Sequence, residues 1–375
     1  MTTTWRDLAR ELADALSAAG ALPPAWRQAF VTVPRHVFIP SFYLRPGDEG
    51  DDPRRGRHFT PGVPDYLPTV YSDDTLVTQH IECGGWPWAT SSSTRPSLML
   101  RILDELDVVD GVSVLEIGTG TGYNAALLSE RLGDHLVTSV DIDPDLVELA
   151  GLRLKELGYR PALAVRDGRE GHPRRAPYDR LVATVAFEQI PGQWVRQVRI
   201  GGVIVADLRP AGASFAGALT RLTVTGEGVA SGPLLACPFG FMPARSEASL
   251  PGVPTGAAMD RSDVRRRESA LPGEALLVPG LALVTWQRLP GLVVYPGAES
   301  VTLVADDSSW AEMPLKKATE VTLGGPRDVW AIVEDAHTWW ESHGRPDVGE
   351  FGLSVTPERQ WLWLETPDIP LITPR

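Results

Sequence analysis

The chain has 375 residues, 43% of them hydrophobic and 22% charged, and its formal net charge is −13. This composition is typical of a globular protein with two or three domains and excludes a disordered chain. The acidic balance argues against broad attraction to nucleic acid or to an anionic membrane, so neither is expected as a partner. The two cysteines, Cys83 and Cys237, predict neither a disulfide framework nor a metal site and indicate a reducing compartment.

The N-terminal part of the sequence predicts helices followed by a loop. Apolar residues recur at helical spacing, as at Trp5, Leu8 and Leu12, and residues 1–45 are predicted to be helical. The opening MTTTWRDLARELADAL predicts a capped amphipathic helix and lacks the pattern of a signal peptide. Nowhere do ~18 apolar residues follow one another, so no membrane span is expected and the predicted location is cytoplasmic. Residues 46–70, rich in Gly, Pro, Asp and Arg, predict a loop.

Strand and helix patterns then alternate over the middle of the chain. The predicted strands are residues 113–118, 136–143, 162–168, 178–186 and 203–208. The predicted helices are residues 97–106, 123–133, 144–158 and 190–202. Such alternation is typical of a parallel sheet covered by helices, so the fold class is α/β and Rossmann-like.

The last third of the chain has a different character. Residues 214–234 alternate like two antiparallel strands around a glycine turn. Residues 244–275, which include RSDVRRRES, predict a linker or an exposed helix. The arginines of RSDVRRRES are interpreted as a solvated face, and contact with an acidic peptide is the alternative. Seven of the twelve tryptophans follow residue 275, which favours a compact core over an aromatic binding surface. The predicted domains are 1–95, 96–245 and an α+β accessory domain at 246–375, suspected of peptide recognition.

The segment VLEIGTGTGYNAALL, residues 114–128, is the strongest local motif. Its glycines, Gly118, Gly120 and Gly122, allow a tight turn from strand to helix and bring backbone N–H groups close to a ligand. The spacing is G-x-G-x-G after an acidic residue, Glu116, and is not the dinucleotide pattern G-x-G-x-x-G. A glycine turn alone is weak support for a nucleotide site.

Two acidic residues at later strand ends strengthen the prediction. Asp141 ends the second strand, where a carboxylate can accept hydrogen bonds from a ribose diol. Asp167 ends the third strand and can accept from an adenine amino group, while Gly168 allows close approach to the ring. Asp143 precedes a proline and is interpreted as a helix cap. Since no Gly-Lys-Ser/Thr phosphate loop is present, S-adenosylmethionine is the expected cofactor and ATP is not.

These segments together resemble protein-L-isoaspartate O-methyltransferases. The matching stretches are AFVTVPRHVFIP (29–40), STRPSLM (93–99), VLEIGTGTGYNAALL (114–128), SVDIDPDL (139–146), RDGREGHPRRAPYDRLVATVAFEQIP (166–191) and GGVIVADL (201–208). The resemblance covers about residues 1–245. It implies a seven-stranded S-adenosylmethionine-dependent methyltransferase sheet with an N-terminal helical subdomain.

The resemblance also implies site residues. Thr94 occupies the place of the family's active-site Ser or Thr. Cofactor contacts are expected from Ser92, Ser93, Glu116, Gly118, Thr119, Gly120, Gly122, Asp141, Ile142, Asp167 and Gly168. Substrate contacts are expected from Ser91, Arg95, Trp88 and His80, although His80 is also consistent with an ordinary loop residue.

Three departures from the family pattern bear on the substrate. Arg95 replaces the usual small residue, and LVTQHIECGGWPWATS (76–91) replaces a Leu-Pro-Ile stretch ending in Gly-Gln-Thr. Ordinary repair enzymes of this family are expected to end near the first domain, whereas this chain continues. Residues 333–367 resemble the C-terminal region of actinobacterial relatives encoded beside ATP-grasp peptide maturases, which methylate an Asp in a macrocyclic ribosomal peptide (a graspetide). The methyl ester then collapses to an aspartimide.

The chemistry requires little from the protein beyond positioning. A carboxylate with a pKa near ~4 is already ionised at neutral pH, so no strong base is needed. Thr94 is expected to orient it and Arg95 to contribute to binding only. General isoaspartyl repair and a non-catalytic peptide-binding module remain as alternatives, while ATVAFEQIP lacks the amide-binding patch of nucleobase methylases. The oligomeric state and the identity of the peptide are not predicted.

Overall fold

The computed structural model describes residues 3–44, 55–83, 86–210, 212–237, 240–245, 259, 262–316, 320–367 and 371. The chain divides into two compact units. The first unit comprises Met1–Thr184 and Gln193–Val205, and the second comprises Val185–Gly192 and Ala206–Arg375. The predicted boundaries at 95/96 and 245/246 do not coincide with this division. No helix in the described part of the chain is both long and apolar enough to cross a membrane.

The first unit begins with helices, as predicted. They are α1 (Trp5–Ala18), α2 (Pro24–Thr32) and α3 (Arg35–Phe38). Thr4 caps α1 in a reciprocal capping box with Asp7, which satisfies backbone N–H groups that the first turn leaves unpaired. The apolar face of α1 is buried at Leu12 and Leu16, so the helical periodicity of the sequence corresponds to a packed face.

A small antiparallel sheet follows, which the sequence did not predict. Its strands are β1 (Phe42–Leu44), β2 (Arg57–Phe59), β3 (Leu76–Cys83) and β4 (Trp86–Ser93), in the order β2-β1-β3-β4. Helix α4 (Tyr66–Val70) precedes β3. The loop predicted for 46–70 is therefore wrong at β2 and α4, and its residues 46–54 lie outside the described residues. Phe59, Tyr66 and Val70 are buried, and this burial stabilises structure within a Gly- and Pro-rich stretch.

The main sheet of the first unit has the predicted α/β alternation. Its elements are α5 (Pro96–Glu105), β5 (Val114–Ile117), α6 (Tyr123–Leu132), β6 (Val137–Asp141), α7 (Pro144–Glu156), β7 (Ala162–Val165), β8 (Tyr178–Phe187), α8 (Gly192–Gln197) and β9 (Val198–Leu208). The strand order is β9-β8-β5-β6-β7, and β5 pairs in parallel with both β6 and β8. Because the order reverses at β5, a ligand crevice is expected at the carboxyl ends of β5 and its neighbours. The helix predicted for 190–202 ends at Gln197, since β-branched residues then alternate in β9.

The second unit contains two antiparallel arrangements and two helices. The predicted hairpin is confirmed as β10 (Ala218–Gly226) and β11 (Val229–Leu235). The other elements are β12 (Arg265–Glu268), α9 (Pro279–Arg288), β13 (Val293–Pro296), β14 (Ser300–Val304), β15 (Trp310–Pro314), β16 (Glu320–Gly324), α10 (Val329–Ser342), β17 (Phe351–Val355) and β18 (Gln360–Leu364). Strands β11, β17 and β18 pair in that order, and a separate sheet has the order β12-β16-β15-β14-β13. The expected extra α+β domain is confirmed.

Within the predicted linker or exposed helix at 244–275, the arginine-rich stretch forms a strand, while residues 246–258, 260 and 261 lie outside the described residues. Arg265–Glu268 pairs with β16. The guanidinium of Arg267 lies 2.6 Å from an Asp328 oxygen and 2.7 Å from a Glu334 oxygen. The prediction missed β12 because its stabilising carboxylates come from residues about sixty positions later in the chain.

The tryptophans after residue 275 were predicted to form a compact core, and burial confirms this for three of them. Trp286, Trp310 and Trp330 are at most 5% exposed. The other four are half-buried. Three of those donate their indole N–H within the second unit: Trp340 to Pro346 O, Trp361 to Pro367 O and Trp363 to Ser354 Oγ. These tryptophans therefore contribute mainly to packing.

Candidate active site

The glycine turn after β5 forms the base of the candidate site. The N–H groups of Gly118 and Thr119 both donate to Val140 O, at 2.8 and 3.2 Å, which fixes the turn against β6. Gly122 has a φ of 87°, and a Cβ there would lie 2.9 Å from the Ala150 Cβ of α7. A side chain at this position would thus be strained and would push α7 away. The third glycine of the motif, Gly122, is therefore explained by the close packing of α7 against the start of α6.

Asp141 joins this turn to the end of β6. Its Oδ2 accepts from the Gly120 N–H at 2.9 Å, and its Oδ1 accepts from the Asp143 N–H at 3.0 Å. Its predicted role as an acceptor for a ribose diol stays a prediction. Asp143 caps α7 by accepting from the Asp145 and Leu146 N–H groups, as predicted.

Glu116 lies beneath the turn. Its side chain is 0% exposed and accepts from Ser139 Oγ at 2.6 Å and from Asn124 Nδ2 at 2.7 Å. Thr119 Oγ1 lies 2.7 Å from the same Ser139 Oγ. Burial raises the pKa of Glu116 to about 7, against the opposing effect of these hydrogen bonds. The structure therefore gives Glu116 a place in supporting the turn, and no direct path to a cofactor.

The residues predicted to contact the adenine, Asp167 and Gly168, follow β7. Asp167 accepts from the Arg169 N–H at 2.9 Å, and the Arg169 guanidinium lies 2.6 Å from its Oδ2. Gly168 O accepts from Trp194 Nε1 at 2.7 Å. Ile142, another predicted cofactor residue, is 40% exposed. Arg169 and Trp194 were not predicted, although an arginine two residues after a strand-end aspartate is a visible signal.

The hydroxyl run lies against the glycine turn. Ser91 and Ser93, at the end of β4, are 4% and 3% exposed. A Cβ on Gly120 would lie 3.7 Å from Ser91 Oγ and 3.9 Å from Ser92 O, at van der Waals distance, so the turn and this run are direct neighbours. Thr94 follows directly, before Pro96 begins α5. Two segments about thirty residues apart in sequence are thereby brought together.

A buried arginine holds the backbone at Thr94. Arg35 is 1% exposed, and its Nη2 donates to Thr94 O at 3.3 Å and to Ser93 Oγ at 3.4 Å. Its guanidinium also donates to three carbonyl oxygens between α4 and β3, those of Val70, Ser72 and Asp74. Arg35 falls in the stretch that resembles the family, but no pattern around it in the sequence predicts a role in the site.

The predicted substrate residues are spread along the hairpin of β3 and β4. The Arg95 guanidinium donates to Asp73 O at 3.0 Å, so a substrate carboxylate would compete with the Asp73 segment for it. His80 packs edge-on against the Tyr43 ring, with centroids 5.0 Å apart. Trp88 precedes Thr94 by six residues of extended chain, about 20 Å at the usual rise. His80 and Trp88 thus lie toward the far end of the hairpin from Thr94.

The fold is the Rossmann-like fold of the S-adenosylmethionine-dependent methyltransferase class. The model of the family described as Protein-L-isoaspartate(D-aspartate) O-methyltransferase (PCMT) matches residues 60–223. A protein-L-isoaspartate O-methyltransferase of Parvibaculum lavamentivorans is 35% identical over 175 residues, 46% of this chain and 73% of that protein. One of Thermotoga maritima is 36% identical over 183 residues, 48% of this chain and 49% of that protein. The chain belongs to the protein-L-isoaspartate O-methyltransferase family, which confirms S-adenosylmethionine as the expected cofactor.

The comparisons also concern the C-terminal extension. A solved structure of a protein-L-isoaspartate O-methyltransferase aligns with 96% of this chain and 100% of its own at a TM-score of 0.54 and 22% identity, which shows a shared fold. That alignment includes most of residues 246–375, so the expectation that such enzymes end near the first domain is wrong for this one. The chain spans between 49% and 61% of the length of relatives from Ignicoccus hospitalis, Thermotoga maritima and Methanosarcina mazei.

Proposed function

We propose that the chain is an O-methyltransferase that uses S-adenosylmethionine to esterify an aspartyl or isoaspartyl side-chain carboxylate in a peptide. The observation that carries this proposal is the contact of the hydroxyl run with the glycine turn at Gly120. Thr94 follows this run directly in the sequence, which supports a role for its hydroxyl near the predicted cofactor residues. The cofactor, when bound, supplies an electrophilic methyl group on a sulfonium.

The residues of the chain contribute by binding and orientation. The substrate carboxylate is already ionised at neutral pH, since its ordinary pKa is near ~4, and needs no general base. The Thr94 hydroxyl is a neutral donor that orients the carboxylate without neutralising it. Arg35 fixes the Thr94 backbone, and positioning of this kind supplies about 7–11 kcal/mol in good intramolecular reactions. Because an anion reacts with a cation and charge disappears, exclusion of water from the carboxylate favours the step.

The finer proposal is that the substrate is a ribosomally made, macrocyclised peptide. It is supported by Arg95, by the replaced segment 76–91 and by the resemblance of residues 333–367. After methyl transfer, the following backbone amide nitrogen attacks the ester carbonyl and loses its proton, and methanol leaves. The product is an aspartimide, which water opens to aspartate or isoaspartate. This second step needs no residue of the protein. A cytoplasmic location, in keeping with the few cysteines, stays a prediction.

General repair of isoaspartyl residues is the second candidate. It is favoured by membership of the family and by the fold shared with a solved member across most of this chain. A non-catalytic peptide-binding module is the third, and the retained glycine turn, Asp141 and Asp167 argue against it. The two catalytic candidates differ in the peptide and not in the chemistry.

The test is methyl transfer followed by mass spectrometry. The purified chain and S-adenosylmethionine are incubated with a linear isoaspartyl peptide, its normal aspartyl counterpart and a side-chain-cyclised peptide of the same sequence. A gain of 14 Da, or a loss of 18 Da on aspartimide formation, on the cyclised aspartyl peptide alone supports peptide tailoring. Methylation of the linear isoaspartyl peptide alone supports repair. No methylation of any peptide, with S-adenosylhomocysteine still bound in calorimetry, would support the binding module.

A further inference from the structure

The hairpin of β3 and β4 contains two irregularities placed on either side of one residue. Val77 pairs with Ser92 and Gln79 with Ser91, which leaves Thr78 as an extra residue on β3. Gln79 pairs with Ser91 and His80 with Ala89, which leaves Thr90 as an extra residue on β4. A β-bulge changes the direction in which the neighbouring side chains point. The two bulges therefore give Gln79 and its neighbours directions that a regular hairpin would not.

Each extra threonine bonds across the hairpin. Thr78 Oγ1 donates to Ser91 Oγ at 3.2 Å, and Thr90 Oγ1 donates to Gln79 Oε1 at 2.7 Å. The second bond fixes the amide of Gln79, so that its Nε2 points outward from the hairpin. That Nε2 donates to Asp143 Oδ2 at 3.1 Å. Asp143 is 9% exposed and caps α7 with its other oxygen.

A continuous series of hydrogen bonds consequently joins the hairpin to the glycine turn. From Thr90 it passes through Gln79 to Asp143, whose N–H donates to Asp141. Asp141 in turn accepts from the Gly120 N–H. The hairpin returns to the same glycine at Ser91, the second point of contact. One attachment falls on Asp143, which is bonded to Asp141, and the other falls at Gly120; Asp141 and Gly120 are both assigned to the cofactor.

We propose that Gln79 is a positioning residue that couples cofactor binding at Asp141 to ordering of the hairpin, and thereby to peptide binding. The inference rests on the proposed function, which supplies the two ligands, S-adenosylmethionine and the peptide. Gln79 bonds the hairpin of β3 and β4, which is assigned to the peptide, to Asp143, which is bonded to Asp141 at the end of β6. Because of this link, a cofactor that orders Asp141 also favours an ordered hairpin, and a peptide that orders the hairpin also favours the ordered Asp141. Such coupling is reciprocal, so each ligand raises the affinity of the other by the same factor.

The first experiment is calorimetric titration of the full chain with S-adenosylhomocysteine. Gln79→Met removes both bonds without adding charge, and Gln79→Glu places a carboxylate against Asp143. Both variants are expected to bind about tenfold more weakly, within the usual range of coupling between sites. The double variant Gln79→Glu with Asp143→Asn keeps the cap oxygen and re-forms the bond with donor and acceptor exchanged. It is expected to bind within about twofold of the wild type, a rescue that loss of structure would not show.

The second experiment measures the hairpin itself. Deuterium exchange over residues 76–83 is followed with and without S-adenosylhomocysteine. The ligand is expected to slow exchange in the wild type and to leave it unchanged in Gln79→Met. The control is Gln28→Glu on the exposed side of α2, where Gln28 also bonds a threonine, Thr32. This control should bind and exchange like the wild type. If Gln79→Met does not fold, Thr90→Val removes the orienting hydroxyl and gives the same comparison.

The outcomes separate the two proposals. If the wild type binds S-adenosylhomocysteine and Gln79→Met binds it equally, with equal protection of the hairpin, the coupling is refuted while the proposed function stands. If the double variant binds as weakly as Gln79→Glu, the contact with Asp143 is not the source of the effect. If the wild type binds no S-adenosylhomocysteine, the proposed function and the coupling fall together.

Discussion

Replacement of Glu116 by glutamine should stabilise the protein at alkaline pH and not at acid pH. The carboxyl is fully buried beneath the glycine turn, and burial raises its pKa from an ordinary 4.5 to about 7. Because the folded chain retains the proton between these values, stability is lost as pH rises from about 4.5 to about 7. A difference of this size corresponds to about 3 kcal/mol. Glutamine is neutral at every pH and so avoids this loss.

The hydrogen bonds of the site permit the substitution. The glutamine Oε1 can accept from Asn124 Nδ2, and its NH2 can donate to Ser139 Oγ, which then donates to Thr119 Oγ1. For a unit of about 200 residues, 1 kcal/mol shifts the melting temperature by about 2–4 °C. Glu116→Gln is therefore expected to melt about 6–12 °C above the wild type at pH 8.5 and close to it at pH 4.5.

Differential scanning calorimetry at pH 4.5, 6.5 and 8.5 measures this difference, with the transition of the first unit identified by its shift with S-adenosylhomocysteine. The reasoning is refuted if the gap between variant and wild type is the same at all three pH values. A variant less stable at every pH would show that the amide cannot replace the carboxylate in the Ser139 and Asn124 bonds.

The other predictions concern the proposed reaction. Thr94→Ala should reduce methyl transfer at least tenfold while S-adenosylhomocysteine affinity in calorimetry stays within twofold, and Thr94→Ser should retain most of the rate; an unchanged rate for Thr94→Ala removes the hydroxyl from the mechanism. Asp141→Ala should weaken S-adenosylhomocysteine at least tenfold, since it removes the ribose acceptor and the bond to Gly120; equal calorimetric affinity contradicts that role. Arg35→Met should lower the melting temperature by several degrees and slow methyl transfer, because it leaves buried carbonyl oxygens without donors; a variant with normal stability and rate shows that Thr94 is held by other contacts.

The sequence predicted those parts of the fold in which local pattern and tertiary environment agree. The alternation from α5 to β9 was recognised because parallel strands and covering helices have strong periodicities of their own. The hairpin of β3 and β4 was missed because its two bulges break the period of two at Thr78 and Thr90. The role of Arg35 was missed for a different reason. Its acceptors lie between 35 and 59 positions later in the chain, so no local pattern could show them.

The site was predicted best where a residue's role follows from its place at a strand end. Asp141 and the glycine turn satisfy this condition, and the structure joins them by a hydrogen bond. Glu116 belongs to the same motif as the glycine turn, but its side chain is buried and bonded to Ser139 and Asn124. An acidic residue before the glycine turn has the same sequence pattern whether it contacts the cofactor or supports the turn. The two roles are distinguished by the burial of the side chain, which the sequence does not show.

The question of substrate now depends mainly on the hairpin. The C-terminal extension does not decide it alone, since a solved protein-L-isoaspartate O-methyltransferase shares the fold across most of this chain. The other departures are Arg95, which is bonded to Asp73, and residues 76–91, which are bonded to Asp143 through Gln79. If the hairpin sets the substrate, substrate choice depends on an element that is bonded to Asp143, two residues after the end of β6. A change of peptide would then alter cofactor affinity as well, which an accessory recognition domain acting alone would not do.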